Sequence, residues 1–154
     1  MSNNLSKFRA YLEDSISRRK MIRILDKVGE DVKEDIKSLA PIDTGRYRES
    51  ITKSSIEENG DSYSISIYTD LNSGWKGVAL GYLLEWGTGI KGEETNQYDH
   101  GYPYRTTPWV YYNERYGRWI FTHGNIARPH FYPGLKLNEK NFRETILKEM
   151  KRRW

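Results

Sequence analysis

From about Ser17 the apolar positions of this chain fall at spacings of three and four. Ile22, Leu25, Val28, Val32, Ile36 and Leu39 form one stripe, and Asp26, Lys27, Glu30, Asp31, Lys33, Glu34, Asp35 and Lys37 fill the opposite face. That is the signature of an amphipathic helix. Leu5, Phe8, Leu12 and Ile16 repeat the period upstream, so residues 1–16 are expected as a helical arm ahead of a single domain over 17–154. Gly29 weakens the run by about 1 kcal/mol relative to alanine. Pro41 disfavours helical backbone at Ala40, where the helix should stop.

Beyond the proline the period changes. In "IDTGRYRESI", Asp43 or Thr44 can cap a short second helix, and Gly45 permits a close backbone bend. "ESITKSSIEENGDSYSISIYTD" reads as two strands around Asn59-Gly60, with Tyr63, Ile65 and Ile67 on one face. "GVALGYLLEWGTG" is a compact helical turn whose Leu80, Leu83, Leu84 and Trp86 are expected in the core, with Glu85 facing out or paired. Residues 88–104 are polar and aperiodic, a long loop. An aromatic hairpin follows over 108–122, with strands at 109–112 and 118–122, and then the proline-bracketed "IARPHFYPGLK". The closing helix should be capped by Asn138 and bury Phe142, Ile146, Leu147 and Met150. The fold class is therefore α+β: a long N-terminal helix and a C-terminal helix packed on a mostly antiparallel sheet of about four to five strands.

Composition changes this picture in two ways. Apolar residues are only 36 % of the 154, but 12 Tyr, 5 Trp and 4 Phe supply large amphipathic rings. Such a surface suits a molecule that packs against neighbours. The net charge of +4 is uneven: residues 136–154 carry 7 basic and 3 acidic side chains, while residues 40–135 carry 9 and 11. A basic end beside a slightly acidic body is read first as a solvated helix face. With no cysteine there is no disulfide, thiolate metal site or cysteine nucleophile. The charged N-terminal stretch lacks the apolar core of a signal peptide, and no run is long enough to span a bilayer, so a soluble protein made in the cytoplasm is expected.

Candidate chemistry is sparse. The three histidines, His100, His123 and His130, show no zincin spacing, so no metal or cofactor is assigned. "GWKGVALG" and "GTGIKG" match neither phosphate-binding glycine motif, and no serine sits in a nucleophile elbow. No catalytic residue is assigned. Arginines interleaved with aromatics at 105–128 could stack single-stranded bases, yet the middle of the chain is net acidic and counterion release needs a positive surface. Trp109, Tyr111, Tyr112, Tyr116, Arg118 and Trp119 are equally the residue types of a protein interface.

Three stretches in order alter the balance: "APIDTGRYRESI" at 40–51, "GYLLEWGTG" at 81–89 and "ARPHFYPGL" at 127–135. Together, over about residues 20–145, they resemble the tail-component family of long-tailed phages, small head–tail joining or tail-completion proteins of the neck. The family pattern runs A-P-x-D-T-G-R-L-R-x-S-I, then Y-x-x-Y-x-E-x-G-T, then R-P-F-x-x-P-A. Pro41, Asp43, Thr44, Gly45, Arg46 and Arg48 match the first block; Tyr82, Glu85, Gly87 and Thr88 the second; Arg128, Pro129, Phe131 and Pro133 the third. Tyr47 stands where leucine is usual, His130 looks inserted, and Gly134 replaces alanine. The aromatic hairpin looks like an elaboration present in some members.

The resemblance implies a non-enzymatic virion protein forming a ring, six-fold, with copies of itself. Its further partners would be head connector or adaptor proteins and the tail tube or tail terminator, with the phage DNA passing through the lumen and no membrane. It would reside at the head–tail junction, and in the host cytoplasm during assembly. Within the motifs, Arg46 or Arg48 is expected to pair with Glu85 and pin the first block against the second. A single-stranded nucleic-acid binder is the main alternative. A metal-dependent hydrolase or nuclease of packaging is a second.

Overall fold

A computed structural model of the chain describes residues 2–43, 45–60, 62–73, 78–99, 101 and 103–151. Helix α1 runs unbroken over Ser2–Leu39, 38 residues and about 57 Å at 1.5 Å per residue. The C-terminal half of that helix buries Ile24, Val32 and Ile36, with Val28 partly buried between them and Ala40 buried just past its end. The buried stripe thus steps by four. It corrects the expected one at both ends, because Ile22 and Leu39 lie outside the four-step row and face solvent.

After the corner come α2 (Arg46–Ser50), β1 (Thr52–Lys53), β2 (Glu57–Asn59), β3 (Ser62–Ser64) and β4 (Ile67–Tyr68). β1 pairs with β4 and β2 with β3, both antiparallel. They are two halves of one hairpin turning at Gly60, separated where residues 54–56 of the first strand face only 65–66 of the second. This one-residue surplus is a bulge. It is spanned by Ser54, whose N–H donates to the Ser66 carbonyl at 2.8 Å while its hydroxyl accepts from the Ser66 N–H at 3.0 Å.

Two short helices follow, α3 (Leu80–Trp86) and α4 (Gly89–Thr95), the second inside the segment expected as loop. β5 (Trp109–Asn113) and β6 (Arg118–Thr122) form a separate antiparallel hairpin, and α5 spans Phe131–Lys151. The α+β class holds. Among the described residues the strands form three two-stranded ribbons rather than one sheet, and β5–β6 pairs with neither half of the first hairpin.

The core is Val32, Ile36, Ala40, Tyr47 and Ile51, packed by Val28, Ile67, Leu71, Leu80, Leu84 and Phe131. It lies where α1, α2, α3 and α5 meet. α5 crosses α1 closely at Gly134, where a Cβ would come within 2.6 Å of the Ile36 side chain and 3.1 Å of its backbone nitrogen. A side chain as small as alanine's would push the helices apart. Further along α5, of the residues expected to be buried, Phe142 and Leu147 are exposed and Ile146 is half-buried, while the Met150 side chain lies outside the described residues. Asn138 is not the cap. It sits inside the helix, buried, with its amide donating to the Asp35 carboxylate on α1 and to the Gly134 carbonyl.

Candidate functional site

α5 begins in the middle of the third block, and its start explains the position of Glu85. A helix leaves its first N–H groups without internal partners. Here Glu85 Oε2 accepts from the His130 and Phe131 N–H groups at 2.7 and 2.9 Å, and Oε1 accepts from the Tyr132 N–H at 2.9 Å. The next residue, Pro133, has no N–H to satisfy, and Gly134 N–H donates to the His130 carbonyl at 3.1 Å. Every donor of the first turn is accounted for. The carboxylate also sits at the positive end of the helix dipole, which is why a charge can be buried to 4 % exposure without a cationic side chain.

His130 is fully buried beside it. Its Nδ1 lies 2.8 Å from the Arg128 carbonyl, which can only accept, and 3.1 Å from Glu85 Oε2. Nδ1 therefore carries the proton, and Nε2 is left to accept from the Tyr47 hydroxyl at 2.6 Å. Burial lowers the His130 pKa against the pull of Glu85, favouring the neutral ring. Burial, with Glu85 nearby, raises that of Tyr47 and keeps its hydroxyl a donor. The Tyr47 and His130 rings meet edge to face at 5.4 Å. Gly81 on α3 makes room for the hydroxyl, since a Cβ there would come within 2.9 Å of it.

The second and third blocks are also laced through backbone. Thr88 N–H donates to the Asn125 carbonyl at 2.9 Å, Asn125 N–H returns to the Thr88 carbonyl and hydroxyl at 3.0 and 2.9 Å, and Arg128 N–H reaches the Leu84 carbonyl at 2.7 Å. Thr95 on α4 adds its hydroxyl as acceptor for Ala127 N–H at 2.7 Å. Gly87 lies at φ +71°, and a Cβ would be 2.7 Å from Ala127 N, Asn125 O and Gly92 Cα. Only glycine meets both demands.

The first block enters through Tyr47 and Arg48. Glu85 is closed off by α5, so the expected pairing with Arg48 is replaced. Arg48 turns back onto the end of α1, donating to the Ala40 carbonyl at 2.8 Å and, more weakly, to the Ser38 carbonyl at 3.4 Å. A cation there complements the helix C-terminus. Arg46 is exposed, as is Asp43, which pairs with Arg115 of the distant hairpin at 3.2 Å. Gly45 occupies the α2 cap position at φ 81° and Pro41 is partly buried. Thr44 lies outside the described residues. Tyr82 is exposed on α3, Pro129 half-buried, and Phe131 packs on the core. The two residues that depart from the resemblance, Tyr47 and His130, are the ones that join first block to third. A tyrosine and a histidine each replacing or interrupting apolar sequence near proline are the signal that points to such a pair. His100 lies outside the described residues, and His123 is exposed against Phe121.

The hairpin is the second feature. Register pairs Val110 with Phe121 and Tyr112 with Trp119, so these four share one face. They are 56, 64, 50 and 70 % exposed, respectively. Trp109, Tyr111 and Ile120 point the other way, with Trp109 lying over Gly89 and Arg105 stacked on its ring at 5.0 Å. The expected interface set is thereby divided: Tyr112 and Trp119 belong to the open face, Trp109, Tyr111 and Arg118 to the opposite one, and Tyr116 to the turn between the strands. Val110 and Phe121 join this face through the strand register, which residue types along either strand do not reveal.

The sequence motifs thus lock the chain's own elements together, while among the described residues the Val110–Tyr112–Trp119–Phe121 face stays exposed. A family model described as "HK97-gp10_like: Bacteriophage HK97-gp10, putative tail-component" matches residues 4–87, more than half of the chain. The chain belongs to this family of phage tail components. The matched span holds the first block and most of the second, and ends before the hairpin and the third block. No curated protein and no solved structure matches the chain. Among the described residues no helix is long and apolar enough to cross a membrane.

Proposed function

We propose that the chain is a head–tail joining or tail-completion subunit that assembles into a ring, six-fold, between the head connector and the tail tube. The observation that carries this reading is the uncovered face of Val110, Tyr112, Trp119 and Phe121. These side chains offer on the order of 450 Å², taking about 200 Å² for a full aromatic ring, which is the size of the largest apolar patch of a typical monomer, ~300–600 Å² and often functional. Phage tail-component membership supplies the neighbours: other copies and adjoining virion proteins. The motif residues act inside the subunit, holding the corner, α3 and α5 rigid so that the hairpin is presented at one fixed angle.

The test is a virion one. Deleting the gene should give filled heads and separate tails, and the purified protein, alone or with tail tubes, should show rings by negative-stain microscopy. Normal particles from the deletion would end the reading. A nucleic-acid reading draws on the guanidiniums stacked at Trp109 and near Tyr116. It is weaker, because the open face itself carries no cation.

A further inference from the structure

The same chain carries a second apolar surface. A groove of about 560 Å³ runs between α1, β3 and α5, lined by Leu25, Val28, Val32, Ile65, Leu135 and Phe142 among others. Its outer wall is exposed: Leu135 is 53 % and Phe142 36 % accessible. The Asn138 amide at its floor is already satisfied by Asp35 and Gly134, so the groove asks for apolar contact rather than hydrogen bonds.

We propose that this groove receives the Val110–Tyr112–Trp119–Phe121 face of a second copy of the chain. This rests on the ring reading above and names its contact. Three observations select the occupant. The first is size: the groove falls within the roughly 300–1,000 Å³ of sites that enclose several rings, and the hairpin face with its turn supplies more than half of the ~800 Å² per partner that a stable interface uses.

The second is charge. The stretch of α1 that brings Val28 and Val32 to the groove, residues 26–35, carries five carboxylates and two ammoniums on its other faces. Lys53 lies across Asp26 and Glu30 and removes part of the excess, leaving net negative charge. Residues 105–122 hold three arginines and one glutamate. The groove's own charged lining residues, Lys136 and Glu139, pair with each other, so the arginine-bearing hairpin is steered by the longer-range field of the acidic α1 stretch beside it.

The third is position. Arg115 at the hairpin turn pairs with Asp43, past the end of α1, whereas the groove begins at least 7 residues back, at Val32, or about 10 Å along the axis. Among the described residues, none of a chain's own hairpin lines its groove, which leaves the groove open to the hairpin of a second copy. Hairpin and groove are different surfaces of one polypeptide, and a contact between them is head-to-tail. Repeated with a rotation that closes, such a contact makes a ring.

The absence of cysteine makes the test direct. Trp119→Cys and Leu135→Cys are exposed single substitutions, with Phe121→Cys as a second hairpin reporter should the first disturb the ribbon. Each variant is first matched to the parent by melting temperature. Hairpin and groove variants are then mixed under assembling conditions, and co-expressed in assembling tails, oxidised, and separated without reductant. A band at twice the 18.2 kDa monomer mass should form in the mixture and be absent from each variant alone. A covalent dimer of Trp119→Cys or Phe121→Cys with itself would overturn the proposal in favour of face-to-face hairpins. A link only to another virion protein would overturn it in favour of an outside partner. Rings without any link would overturn the groove contact and leave the ring reading standing. A monomer both in sedimentation and in tails would overturn the two together.

Discussion

The Tyr47 hydroxyl and His130 Nε2 lie 2.6 Å apart, buried, although 83 residues separate them in the chain. With Glu85 capping α5 beside them, they join three sequence blocks at one point. The hydroxyl donates, the ring accepts through Nε2 and donates through Nδ1, and the carboxylate takes the helix N–H groups. The three side chains are spent on one another and on backbone groups. The arrangement is a clasp.

Its strength is testable by truncation. Glu85→Ala leaves three N–H groups without their acceptor and should cost about 3 kcal/mol, with Glu85→Gln intermediate, since each buried donor left unmet costs ~1–3 kcal/mol. Tyr47→Phe should cost about 1–2 kcal/mol for the lost bond to Nε2. Urea unfolding with an unchanged m-value would measure these losses; a Glu85→Ala protein as stable as the parent would contradict the capping role.

A pH dependence follows from His130. Burial lowers its pKa in the folded chain, so the unfolded chain binds this proton first, near pH ~6.5. Stability is full above that value and is lost as pH falls towards the folded pKa, with a slope of at most about 1.4 kcal/mol per pH unit for one proton. Comparing melting curves of the parent and His130→Gln from pH 8 to 5 isolates the term: the parent should lose ground relative to the variant as the solution becomes acidic.

Two glycines at positive φ should behave differently. At Gly87 an alanine Cβ would be 2.7 Å from backbone atoms on two sides, whereas at Gly117, φ +58°, its nearest neighbour would be 3.9 Å away. Gly87→Ala should therefore cost about 2–4 kcal/mol from strain plus collision, and Gly117→Ala about 1 kcal/mol from strain alone. Equal effects in thermal unfolding would show that the clasp between 87–88 and 125–127 is not tight.

Arg48→Met removes the donor from the Ala40 and Ser38 carbonyls and should cost about 1 kcal/mol. Hydrogen exchange should localise the change to the last turn of α1. Loss of protection spread over the whole helix would instead mean that Arg48 supports the core.

Local structure was largely legible in the sequence. The three-and-four spacing announced α1, Pro41 marked its end, Asn59-Gly60 marked the first hairpin turn, and aromatic alternation marked the second hairpin. These features depend on residues a few positions apart, where periodicity and backbone preference act directly. α5 begins earlier than the sequence suggests, because Pro133 and Gly134 look like breakers; proline needs no donor in a first turn, and glycine there meets Ile36 of α1.

What the sequence by itself determined, then, was the order and kind of most elements, the α+β class and, through its ordered blocks, the phage tail-component family. Only the tertiary structure decided that Glu85 caps a helix 45 residues away rather than pairing with Arg48, that Tyr47 and His130 complete the clasp, and that Val110 and Phe121 share an open face with Tyr112 and Trp119. The physical reason is common to all three. A carboxylate, a ring nitrogen or a strand face has no fixed partner until distant backbone groups are brought within hydrogen-bond distance or a register is set, and those distances belong to the folded chain.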